Sequence, residues 1–116
     1  MLEDPMVTRI ARAQALAKAH AARLVAELPR AVALLKRRGA TRVWLFGSLA
    51  NGAVPHADTD VDLCVAGLDR ESCAEALLEL ETMFGASVDL VQRESASESL
   101  HRRVSREWRE ISHVAG

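Results

Sequence analysis

The sequence predicts an α/β (α+β) domain, a small mixed β-sheet flanked by helices, with a helical N-terminal extension. Two observations carry that expectation. Apolar residues recur at helical spacing through the first 38 positions, again over 69–84 and again over 97–114. Between these stretches stand three short runs, Val43 to Phe46, Asp60 to Val65 and Ser87 to Gln92, bounded by turn residues and of strand length. With 116 residues, 49% of them hydrophobic, the chain suffices for one domain with a core and not for two. Residues 1–116 are therefore read as a single unit, with 1–38 helical, 40–92 the strand-bearing core and 97–114 a C-terminal helix.

Asp4-Pro5 is a helix start, with Asp as N-cap and Pro at the first helical position, where its missing N–H costs nothing. Ile10, Leu16, Ala17, Leu24 and Leu28 follow among alanines, and the pattern resumes as Val32 and Leu35 after Pro29. Pro29 is expected to divide this stretch into two helices or to kink one. Lys36-Arg37-Arg38 suits the negative end of the helix dipole, and Gly39 is placed to close the helix. Ser48 to Asn51 predicts a short helical turn after the first strand. In 69–84, Leu77, Leu78, Leu80 and Met83 or Phe84 are expected on one side with glutamates on the other. Leu100, Val104, Trp108 and Ile111 give the tail its helical period.

Charge is unevenly distributed although the formal net charge is only −1. Residues 1–42 carry nine Lys/Arg against three Asp/Glu, and residues 43–92 carry Arg70 alone against nine Asp/Glu. The basic end suits phosphates or an acidic partner, and the acidic middle suits cations, unless the two simply face one another. No apolar run approaches the roughly 20 residues that span a bilayer, and MLEDPMVTR lacks the order of a signal peptide, so a soluble, cytoplasmic protein without a membrane partner is expected. Cys64 and Cys73 form no CxxC, and the four histidines are scattered, so structural thiols and no zinc site are expected. Nucleic-acid binding is disfavoured, because only Trp44 and Trp108 offer large stacking surfaces and Trp44 reads as buried.

Asp60 and Asp62 share one face of their strand, roughly 7 Å apart. Two such carboxylates repel unless a cation lies between them. A third, Asp89, sits in Val88-Asp89-Leu90-Val91 and would converge with them if its strand lies alongside. Three carboxylates suit Mg²⁺ held together with substrate phosphates, and would accommodate two ions. Gly47-Ser48 after the first strand adds a close backbone approach and a hydroxyl at the start of a helical turn, an arrangement suited to an anion. Each feature alone is common. The combination reads as a nucleoside triphosphate site.

Gly47-Ser48-x-Ala-x-Gly52, then Asp60-x-Asp62-Leu63, then Asp89-Leu90-Val91, resembles the minimal nucleotidyltransferases (MNT) of the DNA polymerase β-like superfamily, which are often paired with HEPN-domain partners in toxin–antitoxin systems. The resemblance covers roughly residues 24–111 and implies the nucleotidyltransferase fold. It implies that Asp60, Asp62 and Asp89 bind Mg²⁺, that Asp89 also helps activate the acceptor hydroxyl, and that Gly47 and Ser48, with Asn51 and Gly52, hold ATP by its phosphates. The chain departs from the family pattern at Asn51, where Arg or Lys is common, and in a slightly longer loop over 53–58 that contains His56.

From that resemblance the expected activity is transfer of AMP from ATP to a hydroxyl of a partner HEPN toxin, silencing a ribonuclease. Little chain remains to form a private acceptor pocket, which also points to an acceptor brought by another macromolecule. The competing expectations are an antitoxin that acts by docking alone and an enzyme that modifies a small molecule, as aminoglycoside nucleotidyltransferases do. Ala13, Ala17 and Ala21 form a small-residue face that would also admit close helix packing in a homodimer.

Overall fold

The computed structural model describes residues 5–51, 59–98, 102 and 109–111. Its elements are helix α1 (Pro5–Arg37), strand β1 (Arg42–Phe46), the one-turn helix α2 (Ser48–Asn51), β2 (Val61–Ala66), α3 (Arg70–Phe84), β3 (Val88–Gln92) and β4 (Arg109–Glu110), with a 3₁₀ turn at Arg93–Ser95. The sheet order is β3-β2-β1-β4. β1 runs antiparallel to both β2 and β4, while β2 and β3 are parallel through the α3 crossover. The expected mixed sheet with helices is thus the observed one.

α1 begins at Pro5 as the sequence predicts, but Pro29 does not divide it. A proline removes one intrahelical hydrogen bond, and here the packing of Leu24, Leu28, Ala31, Val32 and Leu35 on both sides of it keeps the helix whole. The predicted cap Asp4 lies outside the described residues. At the other end Gly39, with φ 116°, closes a Schellman motif: its N–H donates to the Lys36 carbonyl (3.1 Å) and that of Ala40 to the Leu35 carbonyl (2.9 Å). Leu35 and Ala40 are both buried, the apolar contact that accompanies such an end. α3 is capped at both ends as well. Asp69 Oδ1 accepts from the Ser72 N–H at 2.7 Å, and Gly85 adopts a left-handed conformation with φ 63°.

One face of the sheet carries Val43, Leu45, Val61, Leu63, Val65 and Val88, which join the buried stripes of α1 and α3 in one core. Ala76, Leu80 and Phe84 are the buried residues of α3, while Leu78, placed on the inner side by sequence, is 69% exposed. The outer face carries Trp44, Phe46, Asp62, Cys64 and Asp89, since cross-strand register partners share a face: Trp44 opposite Cys64, Phe46 opposite Asp62, Asp62 opposite Asp89. Trp44 is buried as expected, with the guanidinium groups of Arg42 and Arg93 at 4.9 and 4.8 Å from its ring centroid.

The tail departs from the expected helix over 97–114. Glu98 and Arg102 are helical, but Arg109 and Glu110 form β4 on the edge of β1. Edge pairing wins because β1 would otherwise leave a row of backbone groups unpaired. Ile111 N–H donates to the Val43 carbonyl at 2.8 Å, and Arg42 grips the Glu110 carboxylate with two hydrogen bonds of 2.9 and 2.6 Å. Leu100, Val104 and Trp108 lie outside the described residues. Among those residues no helix is long and apolar enough to cross a membrane.

Candidate active site

The sheet topology decides where the acids go. β1 leaves the sheet at Phe46 at the same end where β2 and β3 enter it, because β2 is antiparallel to β1 and parallel to β3. Gly47 and Ser48, Asp62 and Asp89 therefore collect at one end of the outer face. Asp62 and Asp89 are direct register partners. Asp60 stands one residue before β2, exposed, so the strand predicted to start with it starts one residue later.

Electrostatics records this crowding. The Asp62 carboxyl, half-buried, is raised above the ordinary aspartate value first by burial and then by the negative charges of Asp89 and Asp60. Gly47 explains the burial. At φ 73° it turns the chain over Asp62, and a Cβ there would overlap the Asp62 carboxylate oxygen and stand only 3.0 Å from its Cγ. A glycine is required both by the backbone angle and by the contact. Its carbonyl accepts from the Ala50 N–H at 3.1 Å, starting α2, whose first residue is Ser48. Asn51 ends α2, and Gly52 and His56 lie outside the described residues.

Among the described residues, no three His, Cys, Asp or Glu side chains are gathered closely enough to form a ready-made metal cage. The donor chemistry nonetheless suits a hard cation: carboxylate oxygens on one face, mutually repelling, with two of the three exposed and free to turn. That is the pattern for an ion that arrives with additional oxygen ligands. A cavity of about 530 Å³ elsewhere, between α1 and α3, is lined by Arg30, Leu34, Arg37, Leu78 and Met83 among others and by none of the candidate site residues.

Two supporting contacts were not foreseen from sequence. His20 on α1 places Nε2 3.0 Å from the carbonyl oxygen of Thr59, the only buried polar residue among those described, immediately before Asp60. Arg109 on β4 donates from Nη2 to the Ala50 carbonyl at 3.2 Å, bracing the end of α2. His20 could have been singled out, since it falls at heptad spacing between Ala17 and Leu24. Arg109 carries no such signal.

The family described as "Polymerase beta, Nucleotidyltransferase" matches residues 32–113. The chain belongs to this nucleotidyltransferase family. Among solved structures, a putative minimal nucleotidyltransferase is 34% identical with a TM-score of 0.63, over 76% of this chain and 95% of that one. A toxin–antitoxin structure with AMP-PNP is 27% identical with a TM-score of 0.63, over 72% of this chain and 71% of that one. A complex of tri-AMPylated Shewanella oneidensis HEPN toxin with its MNT antitoxin is 25% identical with a TM-score of 0.57, over 72% of this chain and 66% of that one. No curated protein matches the chain. The nucleotidyltransferase fold and the resemblance to minimal nucleotidyltransferases both stand, and the protein is a nucleotidyltransferase with MNT antitoxins among its structural neighbours.

Proposed function

We propose that this nucleotidyltransferase moves AMP from ATP to a hydroxyl of a HEPN-domain toxin and thereby acts as its antitoxin. The observation that carries the reading is the Asp62–Asp89 register pair beneath Gly47, with Asp60 beside it: a concentration of negative charge under a glycine turn. The solved neighbours that contain AMP-PNP or an AMPylated HEPN toxin support the nucleotide and the acceptor class.

In this reading Asp60, Asp62 and Asp89 would hold two Mg²⁺ ions, and the backbone at Gly47 and Ser48, with Asn51 and Gly52, would hold the β,γ-phosphates. Mg²⁺ held there would supply positive charge against the triphosphate and the leaving pyrophosphate. Asp89, exposed at the rim, takes the proton of the acceptor hydroxyl as its oxygen forms a bond to the α-phosphorus and the bond from that phosphorus to the bridging oxygen breaks. Asp62, pinned under Gly47, keeps its position through the reaction, so that the chain contributes chiefly orientation and preset electrostatics. Arg109 fixes the α2 end of the phosphate cradle through Ala50.

The test is label transfer from α-phosphate-labelled ATP to a purified HEPN-domain partner, with Mg²⁺, comparing the wild type with Asp60→Asn/Asp62→Asn. Label on the partner with the wild type alone is expected. Equal neutralisation of the partner's ribonuclease by both proteins, without label, would replace the enzymatic reading with docking.

A further inference from the structure

α1 has 33 residues, about 50 Å of helix at 1.5 Å per residue, against a longest extent of 59 Å for the molecule. Only its second half is packed. The core stripe of Leu24, Leu28, Ala31 and Leu35 continues toward the N-terminus, at steps of three, four or seven, as Ala17, Ala13 and Ile10. Ala17 is the last of these to be buried; Ile10 is 51% exposed, with Val7 and Leu16 at 61% and 63%. Ile10 therefore extends the core-facing stripe beyond the packed part of the helix, with Val7 and Leu16 exposed to either side of it, and exposed large apolar side chains on one unpacked helical segment mark an interaction surface.

Charge identifies the occupant. From Pro5 to Ala26 the helix carries Arg9, Arg12, Lys18 and Arg23 and no acidic residue. Arg23 is engaged with the Phe84 carbonyl and His20, whereas Arg9, Arg12 and Lys18 form none of the ion pairs found among the described residues. Two such arms laid together would oppose like charges. The outer face of α3 in a second copy is acidic, but it presents a single large exposed apolar side chain, Leu78, and its Glu75 and Glu79 are held by Arg38. The complementary surface is a different protein whose docking face is apolar and edged by carboxylates.

Position supplies the purpose. The helix leaves the domain at His20, which contacts Thr59, the neighbour of Asp60. The family match covers residues 32–113, so this arm lies outside the matched segment. We infer that residues 7–17 of α1 are a docking arm for the protein acceptor, gripping an apolar, acid-edged face and holding the acceptor beside the catalytic carboxylates. The inference rests on the proposed function for the identity of that acceptor.

The experiment measures binding of the full-length protein to the purified HEPN-domain partner, together with label transfer, for the wild type, Val7→Glu/Ile10→Glu, Arg9→Glu/Arg12→Glu and Asp62→Asn, with helicity checked by circular dichroism and self-association by light scattering. Both arm variants are expected to keep helicity and ATP-analogue binding and to weaken partner binding at least tenfold, with transfer falling in parallel at subsaturating partner. Asp62→Asn is expected to bind the partner as the wild type does and to transfer nothing. Arm variants that bind the partner unchanged overturn the arm while leaving the transferase reading intact. Arm-dependent binding without transfer by any protein leaves the arm standing and removes the reaction. No binding by the wild type overturns both, and a loss confined to self-association overturns the arm as an acceptor dock and assigns it to a second copy of the chain instead.

Discussion

Asp62 and Asp89 face each other across two parallel strands, 27 positions apart in sequence and directly paired in register. Their repulsion is built into the fold, together with that from Asp60. Replacing Asp62 by Asn removes one of these charges without changing its shape. Transfer is expected to fall at least a hundredfold, while the melting temperature stays level or rises, because a repelled, half-buried carboxylate is a cost to the folded state. Parallel activity and thermal-melt measurements check both directions; a lower melting temperature would show that Asp62 stabilises the fold.

Gly47 admits a similarly direct test. Gly47→Ala places a methyl against the Asp62 carboxylate at a backbone angle that side chains resist. A loss of about 1–2 kcal/mol in denaturant unfolding is expected, with weaker ATP-analogue binding. Gly67→Ala, also at positive φ (91°) but at the far end of β2 from Asp60 and Asp62, separates the two effects: it should cost stability and leave nucleotide affinity alone.

Much of this arrangement is legible in the sequence, for identifiable reasons. Alternation along Val61 to Val65 fixes which face Asp62 takes, because a strand has a period of two. Gly39, Asp69 and Gly85 announce helix ends through conformations or hydrogen bonds that few other residues supply. What the sequence hides is set by partners distant along the chain. Pro29 reads as a break because propensity is local, and the core contacts that hold α1 together are not. Arg109 and Glu110 read as helix because their period fits one; the free edge of β1 outweighs it. Leu78 reads as core although its neighbours Leu77 and Leu80 take the inner side. The carboxylates and Gly47 could be named in advance, whereas Arg109 and the His20–Thr59 contact depend on packing alone.

The two cysteines should behave as buried hydrophobes. Burial pushes the Cys64 thiol up to about 12, and burial also raises that of the half-buried Cys73. In the native protein at about pH 8, Cys64 is expected to resist iodoacetamide and Cys73 to react more slowly than a free thiol, with both alkylated promptly once the chain is unfolded. Mass spectrometry of timed reactions gives the count. Rapid native labelling of Cys64 would mean that the β2 face opens readily.

Acid should unfold the protein through its hydrogen-bonded carboxylates. Asp69, held by the Ser72 N–H, Glu94, held by the Gly67 N–H, and Glu110, held by Arg42, all lie below their ordinary values. Each therefore contributes stability that is fully present above its unfolded value, near pH 4, and is lost as pH falls through the lower folded value. Asp62 acts in the opposite sense: its raised value means that protonation relieves the fold as pH falls. Melting temperatures taken from about pH 7 to pH 2.5 should decline below roughly pH 4, with a shallower decline in Asp69→Asn. An equally steep decline in that variant would take the α3 cap out of the account.

The alternation of β2 between core and outer face carries a rule of inheritance for the chain. Sliding β2 by a single position against β1 and β3 would point Leu63 and Val65 at solvent and drive the Asp62 carboxylate into the hydrocarbon interior. Within β2 itself, an odd-numbered insertion or deletion that no bulge absorbs exchanges the core and outer faces beyond it, whereas an even one preserves which side each residue inhabits.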